Sequence, residues 1–165
     1  MKKYSLLSLL LCFLFACSDD KTDMPRIELS NLFLNGEDKD YSRNLKDILP
    51  LSAGDYINVS FRLYGNEADL ASFVVGNEDS NINARISSYP ENEVASDFLP
   101  TDDEMLRYKD GIRSTWVEVT LRVRSAKEEE VRPAFYLNSK APDCEGAVYY
   151  LDLTTTAKPR ASEEE

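Results

Sequence analysis

The sequence contains no histidine, only three cysteines and a single tryptophan among its 165 residues. Without histidine, the usual Ser-His-Asp and Cys-His nucleophile pairs are excluded, because both use an imidazole as the base. The common zinc sites are excluded as well, since they need histidine or several cysteines. We therefore predict a protein that is not an enzyme and that needs no cofactor.

The three cysteines do not form a disulfide framework. Cys12 and Cys17 belong to the N-terminal segment, which leaves Cys144 without an intramolecular partner. Cys144 lies in a turn-like stretch between Asp143 and Glu145, and neighbouring acids disfavour the reactive thiolate. We interpret Cys144 as incidental to function.

Positive charge is also scarce. The chain has 19 basic and 30 acidic residues, a net charge of −11. Without the first 16 residues, which include Lys2 and Lys3, 17 basic residues remain against 30 acidic ones, a net charge of −13. A field of this sign repels nucleic acid, so we predict no nucleic-acid partner.

The N-terminus has the pattern of an export signal. Lys2 and Lys3 precede an apolar run from Leu6 to Ala16, which is too short to span a membrane. The stretch Leu14-Phe15-Ala16-Cys17 resembles the bacterial lipobox. That resemblance implies a diacylglyceryl thioether on the Cys17 thiol, cleavage before Cys17 and acylation of its new amine, so that the membrane is a partner through the lipid anchor. The alternative is a buried N-terminal helix with an incidental cysteine.

An acidic stretch follows the cysteine. Residues 18–23 read Ser-Asp-Asp-Lys-Thr-Asp and lack apolar periodicity, as expected of a solvated tether. The stretch resembles the surface-export signal of lipoproteins in gut-type Gram-negative anaerobes. This implies an outer-membrane lipoprotein that faces the cell exterior; a plain soluble linker is the alternative, and it leaves a periplasmic orientation open. The predicted divisions are a signal peptide (1–16), an acidic tether (17–24), a β-sandwich domain (25–154) and a disordered acidic tail (155–165).

Alternation of apolar and polar residues dominates the rest of the chain and predicts β-strands. The two clearest segments are 56–64 and 115–124, where every second residue is apolar. Weaker segments, all bounded by turn residues, are 27–34, 70–75, 82–86, 134–137 and 147–153. One short helix is predicted from Asp102 to Lys109, because Thr101 and Glu104 match a capping box and Gly111 follows.

About seven antiparallel strands indicate an all-β, two-sheet sandwich, with the helix as a crossover. The pattern resembles the immunoglobulin-like domains of small surface lipoproteins. Two features carry this resemblance: Ser52-Ala53-Gly54-Asp55 leading into a strand, and the closing strand pair around residues 141–146.

Exposed aromatic residues are the main candidates for ligand binding. Tyr64 lies on the polar face of its strand, and Tyr89 lies in a loop-like stretch. Trp116 is placed by the alternation on the face opposite to the apolar residues of its strand. Sugars stack on such flat rings. The alternative for Trp116 is that it covers a sheet edge or packs under the helix.

Calcium is the one metal that the sequence suggests. The acidic loop 77–81 offers Glu78, Asp79 and Asn81, whose oxygens are ligands that calcium prefers. The loop does not have the spacing of a known calcium loop, so the prediction of no cofactor is kept.

These features predict a membrane-anchored, surface-exposed lipoprotein that acts as a non-enzymatic binding module for a glycan or an outer-membrane protein partner. One alternative is a structural or assembly subunit of an outer-membrane surface complex, in which an edge strand pairs with a neighbouring protein. A third is a hydrolase, because carboxylates are abundant.

Overall fold

The computed structural model describes residues 24–76, 81–95, 104–125, 127–142 and 144–158. Within these ranges, helix is limited to two turns of 3-10 helix, at Leu45–Asp47 and Glu91–Glu93. The described residues form ten strands: β1 (Arg26–Leu34), β2 (Tyr56–Tyr64), β3 (Leu70–Gly76), β4 (Ile82–Ser88), β5 (Met105–Arg107), β6 (Ser114–Val123), β7 (Glu129–Val131), β8 (Ala134–Ser139), β9 (Ala147–Tyr150) and β10 (Leu153–Thr155).

The strands form two four-stranded antiparallel sheets and a short ribbon. The first sheet has the order β1-β2-β6-β4 and the second has the order β5-β3-β8-β9. The ribbon pairs β7 with β10. The predicted all-β sandwich is therefore confirmed. The strand count exceeds the predicted seven because β5, β7 and β10 have three residues each, too few for alternation to show.

The two central strands of the first sheet follow the predicted faces. In β2, Ile57, Val59, Phe61 and Leu63 are fully buried, and in β6 the same holds for Val117 and Val119. Their polar neighbours point to the outer face. Because side chains alternate across a strand, one register places this buried apolar row of both strands against the second sheet.

Phe61 links the two sheets at the centre of the core. Its ring lies 4.6 Å from the ring of Phe135 and 6.2 Å from that of Phe73, both on the second sheet. A third ring of that sheet, Tyr149, lies 5.3 Å away at its edge. A single cluster of buried side chains joins both sheets, so the described residues share one core.

The first strand is continuous, although the sequence suggested two apolar pieces around a polar pair. The pairing of β1 with β2 shifts by one residue between Leu29 and Asn31, which lets both pieces face the core. Asp40 fixes the following loop by accepting hydrogen bonds from the backbone N–H groups of Leu32 and Ser42, each at 2.9 Å. These bonds, with the Leu32 bond the largest cause, lower the pKa of Asp40 to about 2.

The predicted helix from Asp102 to Lys109 is wrong over its described part. Residues Met105–Arg107 are strand β5, and Tyr108 forms an antiparallel bridge with Val94. Leu106 and Tyr108 are both buried while Arg107 is exposed, which is the two-residue period of a strand. This segment pairs with the free edge of β3, and the long-range pairing outweighs the local capping signal. Thr101, Asp102 and Asp103 lie outside the described residues.

The final strand extends one residue beyond the predicted domain boundary at 154. Thr155 is buried in β10, and its hydroxyl donates to the backbone carbonyl of Lys127 at 2.6 Å. The chain is described as far as Lys158, whose carbonyl accepts a hydrogen bond from Ser52. The rest of the predicted tail, and the N-terminal signal peptide and tether before Met24, lie outside the described residues.

Candidate ligand-binding groove

The outer face of the first sheet brings Trp116 and Arg62 together. The two residues are directly opposite each other on β6 and β2, and the next outward pair in the same register is Glu118 and Ser60. Directly opposed residues have Cβ atoms about 5 Å apart. These four side chains therefore form a compact two-by-two array on the sheet surface.

The array forms the floor of a depression of 360 Å³, which we call the Trp116 groove. The residues that give it chemical character are Ser60, Arg62, Tyr64, Glu93, Trp116 and Glu118. The groove is shallow and open, and Trp116 is 43% exposed in it. A ring of this size that stays exposed on a sheet face leaves apolar area for a ligand to cover.

Two charged groups beside the tryptophan are unengaged. Neither the Arg62 guanidinium nor the Glu118 carboxylate takes part in an ion pair or side-chain hydrogen bond, as judged over the described ranges of the chain. Arg62 offers five N–H donors in a planar fork, and Glu118 offers only acceptors. The groove thus presents a flat apolar ring between a donor group and an acceptor group.

Tyr64 lies at one end of the groove, next to the start of β1. Its cross-strand neighbours are Arg26 and Ser114. The Arg26 guanidinium lies 4.6 Å from the centre of the Tyr64 ring, a cation–π contact that occupies one ring face. Tyr64 therefore contributes a rim to the groove, and Trp116 is its main flat surface.

Glu93 belongs to a 3-10 turn and closes the groove on the other side of Trp116. It accepts a hydrogen bond from the Thr115 hydroxyl, which fixes its position. Behind it, the hydroxyl of Tyr108 is buried without a hydrogen-bond partner in the described part of the chain. Burial, and secondarily the charge of Glu93, raise the pKa of Tyr108 above its ordinary range, so this phenol stays protonated.

Two of the three aromatic candidates from the sequence, Trp116 and Tyr64, thus share one site. Tyr89 does not join them in the groove, because it is half-buried and packs against the core. The alternative that a helix covers Trp116 is wrong over residues 104–109, because 105–108 form a strand and a bridge and none of the six is helical. The sequence did not predict three of the site residues, Arg62, Glu118 and Glu93. The alternation of apolar and polar residues placed the first two on an outer face, but it does not show which outward residues are neighbours.

The candidate metal loop is only partly described. Glu78 and Asp79 lie outside the described residues. Asn81 is buried, and its side-chain oxygen accepts a hydrogen bond of 2.7 Å from Ser125, while its amide donates to Glu129. The Asn81 oxygen thus has a structural role, and no cluster of three metal-binding side chains occurs among the described residues.

The fold and the groove define an all-β sandwich module with an open surface groove. The chain belongs to the family described as "Domain of unknown function (DUF5035)", whose profile matches residues 17–155. A comparison of the sequence with curated proteins found no match. No helix within the described ranges has the length and hydropathy of a membrane span.

Three solved structures resemble this fold at low sequence identity. A DUF4466 family protein from Parabacteroides merdae is 12% identical, with a TM-score of 0.44 over 80% of this chain and 45% of its own. A family 123 glycoside hydrolase from Clostridium perfringens is 12% identical, with a TM-score of 0.43 over 82% of this chain and 27% of its own. BslA, a bacterial hydrophobin, is 6% identical, with a TM-score of 0.40 over 80% of this chain and 98% of its own. This chain spans less than half the length of the first two structures.

Proposed function

We propose that this protein is a membrane-anchored lipoprotein whose sandwich domain binds a neutral glycan in the Trp116 groove. The observation that carries the proposal is the exposed indole ring flanked by an unpaired guanidinium and an unpaired carboxylate on one sheet face. Binding sites of this kind combine an apolar surface with a few convergent polar groups. Open grooves that lie on rigid strands need little rearrangement to bind.

The chemistry of the three side chains fits a sugar ring. One face of a pyranose carries C–H groups, which stack on the flat Trp116 ring, while hydroxyls at the ring edge both donate and accept. Arg62 donates to such hydroxyls and Glu118 accepts from them, so neither charge needs an ionic partner. A neutral saccharide satisfies all three groups at once.

Charge favours a neutral ligand over an acidic one. The groove itself has two carboxylates, Glu93 and Glu118, against the single guanidinium of Arg62. The whole chain has a net charge of −11. Glycans that carry carboxylate or sulfate groups are repelled both locally and at long range.

The anchor is part of the proposal. Its support is the N-terminal sequence: a cationic start, a short apolar run and a small residue before Cys17, followed by an acidic stretch. We propose that Cys17 is acylated and that the domain sits on the outer membrane, facing the cell exterior. In this proposal the groove binds its saccharide without cleaving it.

Fluorescence titration tests the glycan site, because Trp116 is the only tryptophan. We expect a saturable change in emission with at least one of cellohexaose, maltohexaose and mannohexaose, and no cleavage of the bound saccharide. Arg62→Ala and Glu118→Ala should each weaken binding about tenfold, because each removes hydrogen bonds to a charged group. Arg85→Ala, on the same outer face but outside the groove, is the matched control and should bind normally. No response to any of the three saccharides would contradict the proposal.

A second candidate function is assembly with a neighbouring outer-membrane protein through the edge strand β9. The outer face of the second sheet has an apolar row of directly paired residues that crosses all four strands: Met105, Val74, Tyr136 and Val148. Val148 and Tyr150, at the edge, are about half-exposed. An exposed apolar edge strand is a template for pairing with another chain. Co-purification of an outer-membrane protein that is lost in Val148→Lys would favour this candidate.

A further inference from the structure

The Trp116 groove lies at the end of the sandwich where the N-terminal tether joins the domain. Arg26, at the start of β1, pairs with Tyr64, and Tyr64 pairs with Ser114. Trp116 is two residues further along β6, at the level of Glu28 on β1. The carbonyl of Met24 accepts a hydrogen bond from Asn66, which holds the first described residue at this same end.

The opposite end of the sandwich holds the last described residue. Ser52 lies beyond the start of β2, and its hydroxyl donates to the carbonyl of Lys158 at 2.8 Å. The start of β2 at Tyr56 and its end at Tyr64 are eight residue-to-residue steps apart. At about 3.3 Å per residue, the two ends are roughly 26 Å apart along the strand.

The proposed anchor therefore restricts where the groove can be. From Cys17, at the start of the mature chain, to Met24 there are seven residue-to-residue steps, which span at most roughly 25 Å. From Met24, the level of Glu28 is about 13 Å along the strand direction, and Trp116 is two strand spacings, about 10 Å, to the side. These steps keep Trp116 within roughly 50 Å of the acylated residue in every orientation of the domain.

We infer that the partner of the Trp116 groove is a neutral saccharide carried by a component of the same membrane that holds the anchor. This inference rests on the proposed glycan site and on the proposed acylation of Cys17. A ligand fixed to that membrane stays within reach of a groove at the tethered end, and its effective concentration there is high because both molecules share one surface. The parts of a polysaccharide that extend more than roughly 50 Å from this membrane lie outside the reach of the groove.

Two attachment points on the same domain test the inference. The mature chain (residues 17–165) is made with Cys17→Ser and with a histidine tag either before residue 17 or after Glu165, then bound to vesicles of phosphatidylcholine and a nickel-chelating lipid. The chain itself has no histidine, so the tag alone sets the point of attachment. Seven residues separate each tag from the described part of the domain, residues 17–23 on one side and 159–165 on the other.

The first measurement is energy transfer from Trp116 to dansyl-labelled lipid. It should be stronger for the N-terminal tag, because that tag brings the groove end of the sandwich toward the membrane. The second measurement uses the hexasaccharide that binds in the titration above, coupled to phosphatidylethanolamine in the same vesicles. We expect the N-terminal tag to give at least about fivefold tighter capture of this glycolipid, with equal affinity of both versions for the free saccharide.

Equal capture by the two versions, or tighter capture with the C-terminal tag, would overturn the inference and leave the glycan site intact. Failure of both versions to bind the free saccharide would instead remove the proposed function and the inference with it. A Trp116→Ala variant with the N-terminal tag is the control for capture that does not use the groove.

Discussion

Phe61 offers the sharpest test of the sandwich core. Its side chain is fully buried on β2, and three aromatic rings of the second sheet surround it, the nearest at 4.6 Å. Phe61→Ala removes the ring from all three contacts and leaves a cavity between the sheets. Such truncations cost about 3–5 kcal/mol of unfolding free energy, a large fraction of the 5–15 kcal/mol typical of a domain.

Urea unfolding, followed by far-ultraviolet circular dichroism, measures this cost. Phe61→Leu keeps most of the apolar volume and should lose only about 1–2 kcal/mol, which separates the ring contacts from simple burial. Ser60→Ala, one residue away on the outer face, should lose less than about 0.5 kcal/mol. A cost for Phe61→Ala below about 1 kcal/mol would refute its position between the sheets.

Three further predictions follow from the same structure and from the N-terminus. Val119→Asp buries an unpaired carboxylate and should unfold the domain, whereas its outward neighbour Thr120→Asp should cost under about 1 kcal/mol; equal melting temperatures would contradict the assigned faces. Asp40→Asn should lower stability near neutral pH, because the pKa of Asp40 in the folded state, about 2, lies below its ordinary value of 3.8. The stabilisation by Asp40 is therefore present above pH 4 and is lost as the pH falls towards 2. The difference in melting temperature between wild type and this variant should therefore narrow at low pH; a constant difference would show that the charge of Asp40 is not the cause. Cys17→Ala should leave an unprocessed or soluble precursor, and a variant that stays with membranes after a carbonate wash would contradict the anchor.

The longer strands could be predicted because each alternates against one shared core. In β2, and in β6 from Val117 onwards, every inward position is apolar, so the two-residue period is visible without knowledge of the partner strand. The three-residue strand β5 has no such signal. The residues just before it, Thr101 to Glu104, match a helix start, and only pairing with the free edge of β3 makes β5 a strand.

The groove was predictable in part. The alternation of apolar and polar residues alone placed Trp116 and Tyr64 on an outer face. The pairing of Arg62 with Trp116 depends on the register between β2 and β6, which are separated along the chain by β3, β4 and β5. Register between strands so distant in sequence is set by packing of the whole core, and no local pattern encodes it.

A glycan array probed with the purified wild-type protein and with Trp116→Ala tests the central claim most directly. We expect the wild type to bind neutral glycans in preference to sulfated or carboxylated ones, and Trp116→Ala to lose this signal while it keeps the wild-type melting temperature. A signal that survives Trp116→Ala unchanged, or a preference for acidic glycans, would contradict a neutral-glycan site at Trp116.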